Sequence, residues 1–193
     1  MREFIYYSKS ARTSGKFEDP MKAGRLDIAF NVVIQALSLS NSIRQDIHLH
    51  LIFDGPPNAP LHLEFDSSKN ITLSKKDVGG LIKKMLYKWN DKKKTEVFEG
   101  CYIEKKSLVK LIRELEENRK KICIMDIKGK NIRKIEDLDN LVFVIGDQDG
   151  LPKELKKYDN KFSVGNKIYF ASQVFVILNN ELDWRELNCV SIS

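Results

Sequence analysis

The chain predicts an α/β fold on a mainly parallel sheet, and three observations predict it. Strand-like and helix-like periodicities alternate along most of the sequence. Two runs in the last third, "KICIMDI" and "LVFVIGD", are almost continuously apolar, as strands are when a parallel sheet is covered on both faces. The 193 residues, 42% hydrophobic and 31% charged, suit one compact domain with a sizeable core.

The elements follow in order. "REFIYYS" reads as a short buried strand of β-branched and aromatic residues. The stretch "KSARTSGKFEDPMKAG" is a loop rich in Ser, Lys and Gly, longer than a connection requires, which points to a functional excursion. Leu26, Ala29, Val33, Ala36 and Leu37 recur at helical spacing. In "DIHLHLIFD", His48 and His50 alternate with Ile47, Leu49 and Leu51, a strand that Gly55-Pro56-Pro57 then ends. "LHLEFD" alternates as a strand. "DVGGLIKKMLYKW" is helical through Leu81, Ile82, Met85, Leu86 and Trp89, with Gly79 and Gly80 at its start or at a close contact. "TEVFEGCYIE" reads as one strand, and "KKSLVKLIRELEENRK" as an amphipathic helix on Leu108, Leu111, Ile112 and Leu115. The polar link between the two apolar strands is expected to be helical. "LPKELKKY" is a brief helix that Pro152 can start, "KFSVG" a short strand, and "FASQVFVILNNEL" an apolar helix.

Lys and Arg number 33 against 27 Asp and Glu, a formal charge of +6. A cationic surface favours polyanions through phosphate contacts and counterion release, although acidic residues are interspersed here and many basic surfaces bind nothing specific. No run approaches the roughly 20 apolar residues of a membrane span, and the opening "MREFIYYSKS" is too brief and too interrupted for a signal-peptide core. A cytoplasmic protein without membrane association is therefore expected. Cys101, Cys123 and Cys189 are too few and too scattered for a disulfide framework, and none form a C-x-x-C pair. Cys101 and Cys123 read as buried structural thiols. His48 and His50 share a strand face while His62 stands in a separate strand. Structural or surface roles are expected for all three, and no metal site.

The stretch "FVIGDQDGLP" carries the most chemistry. An apolar strand, with Ile145 last in its apolar run, ends in Gly146, and Asp147, Asp149, Gly150 and Pro152 follow before a helix. Ligands of α/β sheets commonly sit at the carboxyl ends of strands, where loops expose backbone donors and acceptors. The spacing is neither a dinucleotide fingerprint nor a phosphate-binding loop, and an ordinary Asp-Gly turn fits it equally well. A second glycine-bearing strand end, "SVGNKIYFAS", follows closely. If the two meet in space, Val164, Gly165, Ile168 and Tyr169 offer apolar walls and backbone polar groups suited to an adenosine.

Taken together, "SKSARTSG", "AGRLD" at Ala23 to Asp27, "IFDGPP" at Ile52 to Pro57, "FVIGDQDGLP" and "SVGNKIYFASQVFVILNNELD" resemble, in order and spacing, the archaeal tRNA pseudouridine N1-methyltransferase family. That family lies within the SPOUT superfamily of trefoil-knotted methyltransferases, and the likeness spans nearly the whole chain. It implies one knotted domain over residues 1–193, with the N-terminal region contributing RNA contacts, and a C-terminal segment threaded through a loop, against the usual rule for connections. It also implies a homodimer, S-adenosylmethionine as methyl donor with S-adenosylhomocysteine as product, and pseudouridine-containing tRNA as substrate, with position 54 of the T-arm expected. The donor's adenine would be held by backbone groups of loops centred on Ile127, on Gly146 to Gly150, and on Val164 to Ser172, which includes Phe170 and Ala171. The side chains of Ile168 and Tyr169 are expected to pack while their main chains contact the ligand.

Transfer to the pseudouridine N1 requires loss of its proton and an in-line approach to the donor methyl, so placement supplies much of the catalysis. An acid near N1 can take the proton, and a cation can stabilise charge on a neighbouring carbonyl oxygen; no metal is expected. Arg25 is expected to orient or stabilise charge with Asp27 supporting it; a salt-bridged helix cap is the plain alternative, and Asp19 competes as cap or loop anchor. Asp147 is a further candidate acid, equally suited to forming a turn. The resemblance places Cys189 near donor and target, where it shapes that pocket or takes part in transfer; the alternative is that it completes packing around Leu182, Trp184 and Leu187. Lys9, Arg12, Lys16 and Arg25 are the candidate phosphate contacts. Methylation of rRNA pseudouridine, ribose 2′-O-methylation, a non-catalytic RNA-binding dimer and a metabolic adenosine-binding enzyme are the competing functions.

Overall fold

The structure is a computed structural model that describes residues 1–74 and 76–190, without the side chains of residues 156 and 188–190. Among the described residues eight strands form one sheet: β1 (Arg2–Ser8), β2 (Ile47–Phe53), β3 (Leu61–Asp66), β4 (Thr95–Phe98), β5 (Cys101–Glu104), β6 (Lys121–Asn131), β7 (Leu141–Gly146) and β8 (Lys161–Ser163). Four helices flank it: α1 (Leu26–Leu37), α2 (Val78–Lys88), α3 (Leu108–Glu117) and α4 (Ala171–Val190). The strand order is β4-β5-β3-β2-β1-β7-β6-β8.

The sheet is mixed rather than mainly parallel. Pairings from β2 through β1, β7 and β6 to β8 are parallel, and those joining β2, β3, β5 and β4 are antiparallel. The connections explain the difference, because a two-residue link such as Glu99-Gly100 can only reverse the chain. "TEVFEGCYIE" is accordingly a hairpin of two strands, turning at Gly100 with φ 72, and not one strand. The expected helix between the apolar strands is also absent. β6 stays extended to Asn131, and a single 3-10 turn, Ile132–Lys134, capped by the Asn131 side chain, follows it.

The two faces bury different neighbours. α1, α2 and α4 cover Phe4, Tyr6, Leu49, Leu51, Leu63, Phe143 and Ile145, and α3 covers Ile5, Tyr7, Ile52, Val142 and Val144 from the other side. Cys101 and Cys123 are buried, and burial pushes both thiols up to about 12, so they are inert packing groups. At the far edge, Phe162 of β8 pairs in parallel with both Met125 and Lys130 of β6, across an irregularity in the register. Residues 126–129 form that irregularity beside β8, where Ser163 Oγ donates to the Gly129 carbonyl at 3.1 Å. Arg185 of α4 ties the following turn down by donating to the carbonyls of Ile132 (2.9 Å) and Ile135 (2.6 Å). No described helix is long and apolar enough to cross a membrane.

Candidate active site

The parallel strands β1, β7, β6 and β8 finish on one side of the sheet, and the segments leaving them enclose two adjoining cavities. One, of about 280 Å³, is lined by Met125, Ile127, Ile145, Gly146, Val164, Gly165, Ile168, Tyr169 and Ala171. The other, of about 310 Å³, is lined by Asp147, Gly150, Leu151, Pro152 and Lys161, and Met125, Asp126 and Gly146 border both. Small-molecule sites begin at roughly 300 Å³, so the joined space is of the right size for a nucleoside-sized ligand. The two glycine-bearing turns therefore converge. Gly146 lets its own turn fold back closely: a Cβ there would lie 3.0 Å from the Gly150 carbonyl carbon and 3.1 Å from Leu151 Cγ. Gly150 itself sits at φ 76, a conformation that a side chain would strain.

These residues fit S-adenosylmethionine. Apolar walls with strand-end backbone groups suit an adenine, and the Asp126 and Asp147 carboxylates suit hydroxyls or a positive sulfur. Phe170 and Ser172 do not line either cavity, and Phe170 is an exposed side chain. The packing role expected for Ile168 is not seen: it is 89% exposed, while the Tyr169 ring lies over Gly165. Cys189 continues the backbone of α4, and its side chain lies outside the described residues.

Asp147 is more than a turn residue. Its Oδ2 accepts from Ser8 Oγ (2.6 Å) and from the Lys9 amide (3.2 Å), and its Oδ1 accepts from the Asp149 amide (2.9 Å). Burial nevertheless outweighs these donors and holds the carboxyl above its ordinary value. Arg25 and Asp27 form a two-pronged pair, Nε to Oδ1 and Nη2 to Oδ2, both 3.0 Å. The hydrogen bond from Arg25 lowers the Asp27 carboxyl. Arg25 is the cap residue of α1 at φ 61, an uncommon conformation for a residue with a side chain and a kind of strain that collects at functional sites. Asp19 is the loop anchor, accepting from the Met21 amide (2.9 Å).

Sequence reasoning missed three residues of this site. Tyr6 is fully buried, and burial first, then the charge of Asp147, raise its hydroxyl pKa. Ser8 ends β1 and holds Asp147. Asp126 follows the apolar run of β6 as Asp147 follows that of β7, and that shared position was the available signal. Arg12 and Lys16 line a groove of about 670 Å³ with Lys22, Lys83 and the exposed Tyr87. Lys9 and Arg25 lie outside it, nearer the carboxylates.

Comparison with known proteins places these features. The family model described as "Putative SAM-dependent RNA methyltransferase" matches residues 1–187. The tRNA (pseudouridine(54)-N(1))-methyltransferase of Methanococcoides burtonii is 30% identical over 95% of this chain and 96% of its own length. That of Pyrococcus abyssi is also 30% identical, over 95% and 98%. The crystal structure of Archaeoglobus fulgidus Nep1 bound to S-adenosylhomocysteine matches with a TM-score of 0.65, covering 93% of this chain and 96% of that one. At 12% identity this last likeness is one of fold.

Proposed function

We propose, for a chain that belongs to the tRNA (pseudouridine-N1)-methyltransferase family of the SPOUT superfamily, how its own residues divide the work of methylating N1 of pseudouridine 54 in tRNA. The observation that carries the reading is the junction at Gly146, where an adenosine-sized cavity adjoins a half-buried carboxylate held by the end of β1. S-adenosylmethionine, when bound, supplies a methyl group on a positively charged sulfur. Backbone groups at Ile127, Gly146 and Val164 to Tyr169 hold the adenine, and Asp126 and Asp147 offset positive charge. Asp147, raised by burial yet hydrogen-bonded through both oxygens, accepts the N1 proton. Arg25, its fork fixed by Asp27, stabilises charge on the base's carbonyl oxygen. Arg12, Lys16 and Lys22 meet phosphates, and Tyr87 offers a ring on which an unpaired base can stack.

The same reading includes a trefoil knot, a homodimer and a cytoplasmic location. The knot is supported by β8 pairing with both Met125 and the Lys130–Asn131 end of β6, and by Arg185 of α4 holding the turn that follows that strand. The dimer is supported by apolar exposure beside the donor cavity, where Ile127, Ile168, Phe170 and Val176 are 45%, 89%, 69% and 45% exposed. Labelled-methyl transfer tests the function. A pseudouridine-containing T-arm fragment should be methylated and its uridine counterpart, which has no N1–H, should not. Equal labelling of both, or labelling of ribose, would overturn it.

A further inference from the structure

The sheet face beneath α3 is apolar over β6 and β7, and polar over β2, β3 and β5. Alternation in β1 puts Glu3 on the same face as Ile5 and Tyr7, and alternation in β2 puts His48 and His50 beside Ile52. The β2–β3 register sets Glu64 opposite His50 and His62 opposite Ile52, and β5 adds Glu104 opposite His62. His50 and His62, 2% and 1% exposed, are thus brought together, so a surface role does not hold for either.

Counting protons shows what this cluster lacks. Three contacts run in series: His62 Nδ1 to Glu104 Oε1 at 3.0 Å, His62 Nε2 to His50 Nδ1 at 2.8 Å, and His50 Nε2 to Glu3 Oε1 at 3.3 Å. Each hydrogen bond needs one proton, and two neutral imidazoles carry only two. The carboxylates do not supply the third. Lys120 holds the other oxygen of Glu3 at 2.7 Å, and Lys106 holds Glu104 at 2.8 Å, which keeps both ionised. A second proton on His50 would place a buried imidazolium between two further imidazoles, His48 and His62, with ring centroids at 4.5 and 5.0 Å.

The arrangement closes if His62 donates to Glu104 and His50 donates to His62, which leaves a bare His50 Nε2 facing Glu3 Oε1. His48 repeats the pattern. Its Nε2 lies 3.0 Å from Glu64 Oε1 and its Nδ1 3.7 Å from the same Glu3 oxygen, and in the neutral tautomer that donates to Glu64 that Nδ1 is bare. Ligand atoms of these three residues lie within 4.8 Å of one another. Two ligands at about 2.1 Å from one ion, at a tetrahedral angle, are themselves about 3.4 Å apart, close to the 3.3 and 3.7 Å that separate the Glu3 oxygen from His50 Nε2 and His48 Nδ1.

We propose that Glu3, His48 and His50 form a structural site for a zinc-class divalent cation that ties β1 to the antiparallel half of the sheet. Each ligating imidazole then passes its remaining N–H to a partner, His48 to Glu64 and His50 to His62, the outer-shell pattern that orients metal-bound histidines. Both partners end on lysine-held carboxylates, Glu64 with Lys94 and Glu104 with Lys106. His48, 27% exposed at its side chain, opens the site to solvent, from which a water would be the fourth ligand. The ion lies on the face opposite Tyr6 and takes no part in methyl transfer.

The test uses the full chain, stripped with a chelator and then titrated with Zn(II), and with Co(II) as a spectroscopic probe. Binding of one equivalent per chain is expected, with visible Co(II) bands of a nitrogen-bearing site. At a free Zn(II) concentration one hundred times Kd the melting midpoint should rise by roughly 5–10 °C. His48→Gln, at the half-open ligand, should remove the bands, and His62→Gln should weaken affinity by roughly 10–100-fold without removing a ligand. Absence of stoichiometric binding to the folded wild-type chain, or unchanged Co(II) bands in H48Q, would overturn the proposal. So would a nitrogen-labelled histidine spectrum in which His50 and His62 share an added proton while Zn(II) leaves it unchanged.

Discussion

Replacing Ser8 by Ala should move the acid limb of the methylation rate upward in pH while leaving the donor cavity intact. Ser8 Oγ donates to Asp147 Oδ2 at 2.6 Å, a charge-assisted bond that favours the ionised carboxyl. Such bonds contribute about 1.5–3 kcal/mol, and about 1.4 kcal/mol corresponds to one pKa unit. Asp147 is partly open to solvent, so screening takes the lower end of that range, an upward shift of about one unit. The sign follows from the protonation states. A proton acceptor must be ionised, and activity is lost as pH falls through its folded-state pKa. Burial already sets that value above the ordinary carboxylate range, so the wild-type limb lies above that range and the S8A limb higher still. Single-turnover transfer to a pseudouridine-containing T-arm fragment across acid to neutral pH reads the limb. Asp147→Asn should lower the plateau by about 10²–10⁴-fold, with donor affinity changed only a few-fold. An S8A limb coincident with wild type, or a D147N plateau near wild type, would refute Asp147 as acceptor.

Two further expectations follow from the loop between β1 and α1. Removing Arg12 and Lys16 together should lower the slope of log affinity for tRNA against log salt by about 1.5, near 0.7–0.9 for each lost phosphate contact. Donor affinity should hold, and an unchanged salt slope would place the RNA elsewhere. Gly24→Ala should destabilise the chain by about 2–4 kcal/mol, lowering the melting midpoint by roughly 5–15 °C. Gly24 has φ 70, and a Cβ there would sit 1.7 Å from the Ser10 carbonyl oxygen; a midpoint within a degree of wild type would show that the loop adapts freely.

The strand-end turns were legible because their signal is local. An apolar run stops at Gly146 and acidic and glycine residues follow, so position and chemistry can be read without knowing any neighbour. α3 was legible for the same reason, from the spacing of Leu108, Leu111, Ile112 and Leu115. The histidine cluster was not. Whether His62 meets His50 depends on the β2–β3 register, and slipping that register by one residue would turn His62 to the opposite face. Nothing in residues 54–60 states that register. The hairpin at Glu99-Gly100 was hidden because β-forming residues flank a turn of only two residues in "VFEGCYI". The extended tail of β6 was hidden because "KGKN" has no periodicity; it is held by β8, whose partnership with it is a fact of tertiary structure. Ser8 and Tyr6 share that fate: both belong to an unremarkable strand, and they matter only because β7 lies alongside it.

That adjacency accounts for why one loop serves two tasks. Residue 8 ends β1 by holding Asp147, and the next amide, of Lys9, bonds the same carboxylate oxygen. The chain then runs to α2, where a Cβ on Gly15 would lie 2.6 Å from the Tyr87 ring and Lys83 Nζ donates to the Phe17 carbonyl at 2.8 Å. It returns at Gly24, against the Ser10 carbonyl, and delivers Arg25 in a left-handed conformation beside Asp27. The phosphate-facing residues Arg12 and Lys16 therefore sit on a segment anchored at both ends to the reacting groups and in its middle to a helix. An RNA held by that segment has its target base placed relative to Asp147 and Arg25 by the same backbone. In a transfer whose rate depends on alignment, such shared anchoring converts binding into positioning, and a loop tethered only at its ends could not do so.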